Sequence, residues 1–174
     1  MVYDGDVKST RNSTTGLEDS LADDLAALGY PGFSYLKLQH ATRTPAELLL
    51  AALAQENLDS RLIEALPWLV WTYPNLDWQQ LIDAARTNQL QNRLGFVISV
   101  ARRVAEQRGE AAKVIMLAQA EAQLEASRLS QEDTLCHASL TQAERIWLRQ
   151  HRSQPAAHWR LLTDLSAEHL DYAA

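Results

Sequence analysis

The sequence predicts an all-α fold: an irregular bundle of about seven or eight helices with a C-terminal helical arm. Three observations carry this. Ala and Leu abound, while only 6 Gly and 5 Pro occur in 174 residues. That balance favours helix, because Gly costs backbone entropy and Pro lacks an amide donor. Apolar residues recur at three- and four-residue spacing along most of the chain. Two helix starts are spelled out by Thr44-Pro45-Ala46-Glu47 and Thr141-Gln142-Ala143-Glu144, each with the reciprocal pattern of a capping box. No fixed-period repeat or low-complexity tract interrupts the chain.

Taken in order, residues 1–15 are polar and read as a disordered lead-in. Residues 16–130 form the helical core domain and 131–174 the C-terminal helical arm. Leu17, Leu21, Leu25 and Leu28 share one helix face, which Gly29 ends. Phe33 to Gln39 alternates in part and reads as a packed connector. Thr44 and Pro45 open a helix reaching about Glu56. Asp59 caps the next, with Leu62, Ile63, Leu66 and Leu69 on one face, and Pro67 is expected to kink or split it. Asp77 caps a helix bearing Trp78, Leu81, Ile82 and Ala85. Leu90, Leu94, Val97, Ile98, Ala101 and Val104 mark an amphipathic helix that Gly109 ends. An Ala- and Glu-rich helix fills 110–129. Thr141 opens a helix with Ile146 and Trp147, Pro155 starts a short one leading to Trp159, and Ser166 caps a final turn.

Composition narrows function more by exclusion than by assignment. Net charge is −6, unevenly spread. Residues 1–85 hold 12 acidic and 5 basic side chains, 86–113 hold 2 and 6, and 114–174 hold 8 and 5. Such a chain is not a general nucleic-acid binder, since that affinity rests on neutralising many phosphates. It suits a partner with a basic surface, or a local DNA contact on 86–113. The single Cys136 has no partner for a disulfide or zinc cluster and reads as a small packing residue. No phosphate-binding loop, nucleophile elbow or zinc-binding helix motif is present. The expectation is therefore a protein that is not an enzyme, with no catalytic residue, metal or cofactor. The N-terminus lacks the apolar core of a signal peptide and no apolar run reaches membrane length, so a cytoplasmic location is expected.

Three features are candidates for function. The block Leu66-Pro67-Trp68-Leu69-Val70-Trp71 with Trp78 gathers three of the five Trp on the seam between two helices. These rings either fill the core or form an aromatic anchor patch, since Trp and Arg dominate binding hot spots. The C-terminal third repeats the choice with Arg145, Trp147, Arg149, Arg152, His158, Trp159 and Arg160, which either pack small helices or clamp a partner. The partner-binding candidates are Trp68, Trp71, Trp147, Arg149 and Trp159. Gln89, Gln91, Arg93, Arg102 and Arg103 surround the start of the 90–107 helix. They are the candidates for DNA contact, because such side chains read base edges or grip phosphates in a helix-turn-helix.

The segment Asn88 to Phe96, with its Arg93-Leu94-Gly95-Phe96 run and the apolar positions after it, resembles the part of AbiE-type antitoxins where an Asn precedes Arg-Leu-Gly-aromatic. The stretch from Thr44 through Leu66-Pro67-Trp68-Leu69, Asp77-Trp78 and Leu94-Gly95-Phe96 is similar to small helical partners of nucleotidyltransferase-like toxins. The resemblance spans about residues 44–105. The winged-helix start of the larger AbiE antitoxins has no counterpart here. The resemblance implies an antitoxin that neutralises a cognate toxin by protein contact. A dimeric, helical DNA-binding transcriptional regulator and a non-catalytic scaffold subunit are the alternative readings.

Overall fold

The computed structural model describes residues 7–37 and 40–173. Among them, eight α-helices and a two-residue pair of strands form the expected irregular all-α bundle. The helices are α1 (Val7–Ala27), α2 (Pro45–Leu53), α3 (Ser60–Thr72), α4 (Trp78–Thr87), α5 (Gln91–Gln107), α6 (Ala111–Glu125), α7 (Gln142–His151) and α8 (Gln154–His158). No helix of the described residues is long and apolar enough to cross a membrane.

The start signals act as chemistry requires. Thr44 and Glu47 close the capping box of α2, and Thr141 and Glu144 that of α7. Asp59, Asp77 and Ser153 accept amide hydrogen bonds from the first turns of α3, α4 and α8. Gly29 and Gly109 end their helices at φ 94 and 70, where any Cβ would be strained. Several expectations need correction. α1 begins at Val7, inside the stretch read as a lead-in, because extending an anchored helix costs little once it is nucleated; residues 1–6 lie outside the described residues. α2 stops at Leu53, short of Glu56. Pro67 neither splits nor ends α3, since Leu66, Pro67 and Trp68 are all buried and packing holds the turn together. The side chain of Ser166 caps nothing; its hydroxyl instead meets His169 Nδ1 at 3.2 Å.

α5 is the axis. Leu94, Gly95, Phe96, Val97, Ile98, Ala101 and Val104 are buried on all sides of it, which marks a helix enclosed by neighbours rather than lying on a surface. α6 folds back along it through Gly109, and α3 crosses it. α4, α8 and the segments around 161–162 and 167–169 pack on its remaining sides.

The C-terminal residues are not a separate arm. Leu135, Cys136, Ala156, Trp159, Leu161, Leu165, Ala167 and Leu170 join the same apolar core as α1–α6. Strand β1 (Asp133–Thr134) pairs in parallel with β2 (Leu161–Leu162). On its other flank, Leu58 N donates to Cys136 O at 2.9 Å and Ala138 N to Glu56 O at 2.9 Å. Residues 133–138 are thus stitched between the 161–162 segment and the α2–α3 loop. Sequence periodicity gives no hint of strands this short.

Candidate functional site

The start of α5 turns two of the side chains proposed for DNA, Gln91 and Arg93, inward. Arg93 grips Asp133 through two bonds, Nε to Oδ2 at 2.7 Å and Nη2 to Oδ1 at 3.1 Å. Its remaining Nη1 donates to the carbonyls of Leu53 and Gln55, both at 2.8 Å. These carbonyls belong to the C-terminal end of α2, where a cation is favoured by the helix dipole. Burial opposes the charge on Arg93, but Asp133 outweighs it and holds the guanidinium firmly protonated. Asn92 receives Leu129 N at 2.8 Å and donates to Leu129 O at 3.0 Å. Gln91 donates to Ser127 O at 3.1 Å, while its Oε1 is buried with no partner among the described residues.

Gly95 and Trp159 complete this clasp. A Cβ on Gly95 would stand 2.5 Å from the Trp159 ring, so only glycine lets the indole lie on α5. Trp159 is 0 % exposed, and its Nε1 donates to Ser99 Oγ at 2.8 Å. Ser99 Oγ also meets Gly95 O at 2.9 Å and Glu121 Oε1 at 2.6 Å. Cys136 lies beneath, its Sγ 3.5 Å from Ala52 O. Burial pushes its thiol up to about 11, which makes it an inert packing group.

The side chains proposed for DNA thus differ in what they can offer a groove. A recognition helix must present its first turn to the groove, yet Gln91 is buried and Arg93 is consumed by Asp133 and backbone carbonyls. Arg102 is neutralised by Glu121 at 2.8 Å and Glu106 at 2.6 Å. Arg103 is exposed and only loosely paired, 3.6 Å from Glu168. Gln89 is exposed but occupies the left-handed turn between α4 and α5, at φ 57. The basic tract at 86–113 therefore does not form a convergent phosphate surface.

The aromatic candidates divide the same way. Trp68 is buried, edge-on to Tyr30 at 5.2 Å and Tyr73 at 6.2 Å. Trp71 is half-buried. Its Nε1 donates to Glu110 at 2.6 Å, and Lys113 and Arg108 lie 4.6 and 4.7 Å from its ring centre. Burial opposes the Glu110 charge, but Trp71, Lys113 and Arg108 together hold its carboxyl below the ordinary value. Trp78 turns its Nε1 back to Pro74 O at 2.9 Å. Each of these rings secures the fold, so Trp68, Trp71 and Trp159 are not surface anchors.

Trp147 differs. On α7 it is 52 % exposed, beside Ile146 at 46 %. Its ring is stacked on His151 at 4.4 Å and 14°, which fixes the rotamer of both. A groove of about 280 Å³ opens beside it, floored by Leu140 and Leu148 and edged by His137, Glu144 and Asp164. Arg149 reaches back to Glu132 at 2.6 Å, and Arg152 joins the same carboxylate at 3.2 Å. The Arg149 bond chiefly holds Glu132 below its ordinary value, against the opposing effect of burial. Only the outward aromatic at Trp147 distinguishes this surface, and sequence alone could not separate it from Trp159.

Among the described residues, no group of three His, Cys, Asp or Glu side chains is placed to hold a metal ion. No family model matches the chain, and neither a curated protein nor a solved structure matches it.

Proposed function

We propose that this chain is an antitoxin-like protein that binds and neutralises a cognate toxin by protein contact, with the Trp147 face of α7 as its principal docking surface. The observation that carries the reading is the exposed Trp147–His151 stack with Ile146 beside it. A tryptophan already immobilised on the surface loses little rotamer freedom when a partner covers it, and Trp is the residue most enriched in binding hot spots. Arg149, tied to Glu132, supplies a polar rim. The net charge of −6 suits a partner whose own surface is basic, such as a nucleotidyltransferase-like toxin, and would speed their encounter. The Asn88 to Phe96 resemblance supports the class of partner.

The test is co-purification from the native host with identification of what is bound, followed by co-expression with that partner. One stoichiometric, nucleotidyltransferase-like protein whose toxicity this chain relieves is the expected result. Rescue and co-purification should both fail in Trp147→Ala while the variant remains folded. A toxin that stays lethal in the presence of the wild-type chain would sink the antitoxin reading; rescue unchanged by Trp147→Ala would sink the assignment to α7.

A further inference from the structure

A second cavity, remote from α7, has a built polar interior that the proposed docking does not use. It encloses about 410 Å³ between the turn after α1, the first half of α3 and the C-terminal turn, with Tyr30, Gly32, Arg61, Glu64, Asp171 and Tyr172 among its walls. Tyr30 is 6 % exposed. Its ring is wedged edge-on among Phe33 at 5.4 Å, Trp68 at 5.2 Å and Tyr172 at 6.1 Å. Its hydroxyl has no hydrogen-bond partner among the described residues and faces this cavity. The ring is buried while the residue lines the open cavity, so the hydroxyl is available to pair with a bound group. Gly32 keeps the wall open at this point: a Cβ there would stand 2.5 Å from the Tyr30 ring and 3.2 Å from its hydroxyl.

The charges around the cavity are also uncommitted. Neither Glu64 nor Asp171 joins an ion pair among the described residues, and neither does Arg61. The opposite wall is fixed, since Tyr172 Oη donates to the Glu64 carbonyl at 2.6 Å. We propose that this cavity binds a guanidinium or alkylammonium cation, held by the Glu64 and Asp171 carboxylates, with the Tyr30 hydroxyl as a third acceptor and the Tyr30 and Tyr172 rings as walls. Charged hydrogen bonds of this kind are the strong ones, and tyrosine rings attract cations. Burial, with the fields of Glu64 and Asp171, pushes the Tyr30 phenol up to about 12, so it stays a neutral acceptor in a negative field. Arg61 at the rim opposes the cation and limits its affinity. The inference stands independently of the antitoxin reading.

The cation could be a free small molecule or an arginine or lysine side chain of a protein. Ethylguanidinium and a Gly-Gly-Arg-Gly-Gly peptide, titrated into the full chain and followed by amide chemical shifts, separate the two. Saturable shifts at Gly32, Glu64 and Asp171 are expected. A peptide binding more than tenfold tighter assigns the cation to a side chain; equal affinities assign it to a free molecule. Tyr30→Phe, which keeps the ring and its packing, should weaken binding about tenfold, and Glu64→Gln with Asp171→Asn should abolish it. Arg61→Ala should tighten binding several-fold by removing a like charge. Absence of saturable shifts with both probes would overturn the proposal. So would weaker binding in Arg61→Ala, or binding of inorganic phosphate through Arg61 and His169 in place of the cations.

Discussion

Trp159 and Trp147 lie twelve residues apart in one C-terminal segment, yet they have opposite roles. Trp159 is 0 % exposed, pressed onto Gly95 and tethered to Ser99; Trp147 is 52 % exposed and stacked on His151. Around Trp159 nearly every polar group is paired inside the molecule. Around Trp147 the apolar surface has no cover. The difference teaches that a motif dense in Arg, Asn, Gln and Trp signals recognition only when those groups face outward. Here the densest motif in the chain recognises the chain itself.

That contrast can be broken at several points. Trp159→Ala should have the largest effect, lowering stability by about 4 kcal/mol, because it empties a packed site and removes the indole donor from Ser99. Gly95→Ala, a single added methyl group, should cost about 2–3 kcal/mol by forcing the indole off α5. Arg93→Ala should cost about 2 kcal/mol through the carbonyls of Leu53 and Gln55 left without a donor, and Arg93→Lys should recover only part, since ammonium cannot match the bidentate fork. Urea unfolding followed by tryptophan fluorescence measures all of these. Near-wild-type stability in Gly95→Ala would show that the Trp159 clasp is not tight. Trp147→Ala should move stability by no more than about 0.5 kcal/mol, and a larger loss would mean that α7 depends on the ring it exposes.

Acid titration sharpens the comparison at the joint between the regions. Glu132 ties Arg149 and Arg152 to the core, and its carboxyl lies below the ordinary 4.5. Asp24 does the same for Thr42 and Arg43, lying below 3.8 against the opposing effect of burial. Both values are depressed by folding. Their stabilisation is therefore fully present above the ordinary value and is lost as pH falls through the folded one. Unfolding midpoints should fall on acidification below about pH 4.5, and Glu132→Gln with Asp24→Asn should flatten that slope. An unchanged slope in the double variant would remove both groups from the acid response.

Much of the fold was legible before any coordinates. Capping boxes at Thr44 and Thr141, the stops at Gly29 and Gly109, and the apolar faces of α4 and α5 are local signals, written within a few residues of where they act. The site was not legible in the same way. A guanidinium reaching phosphate and one reaching Asp133 have identical neighbours in sequence, and the deciding partner of Arg93 lies 40 residues away. The same holds for Gly95, whose reason for being glycine is Trp159. Pro67 misled for a related cause: its local cost to a helix is real, but burial on both sides outweighs it. Only Trp147 and Arg149 remain at the surface of the five residues read as partner contacts.

The seating of Trp159 on α5 also sets a clock on synthesis. Ser99 and Trp159, joined by one hydrogen bond, are 60 residues apart. At roughly 5–20 residues per second, a ribosome covers that interval in about 3–12 seconds. In the later part of it, once Glu125 has been added, α1 to α6 are complete while the groove at Gly95 is still open and apolar. The nascent chain therefore passes through a stage in which its central helix is a ready site for a chaperone or for a neighbouring copy, and arrival of Trp159 ends it.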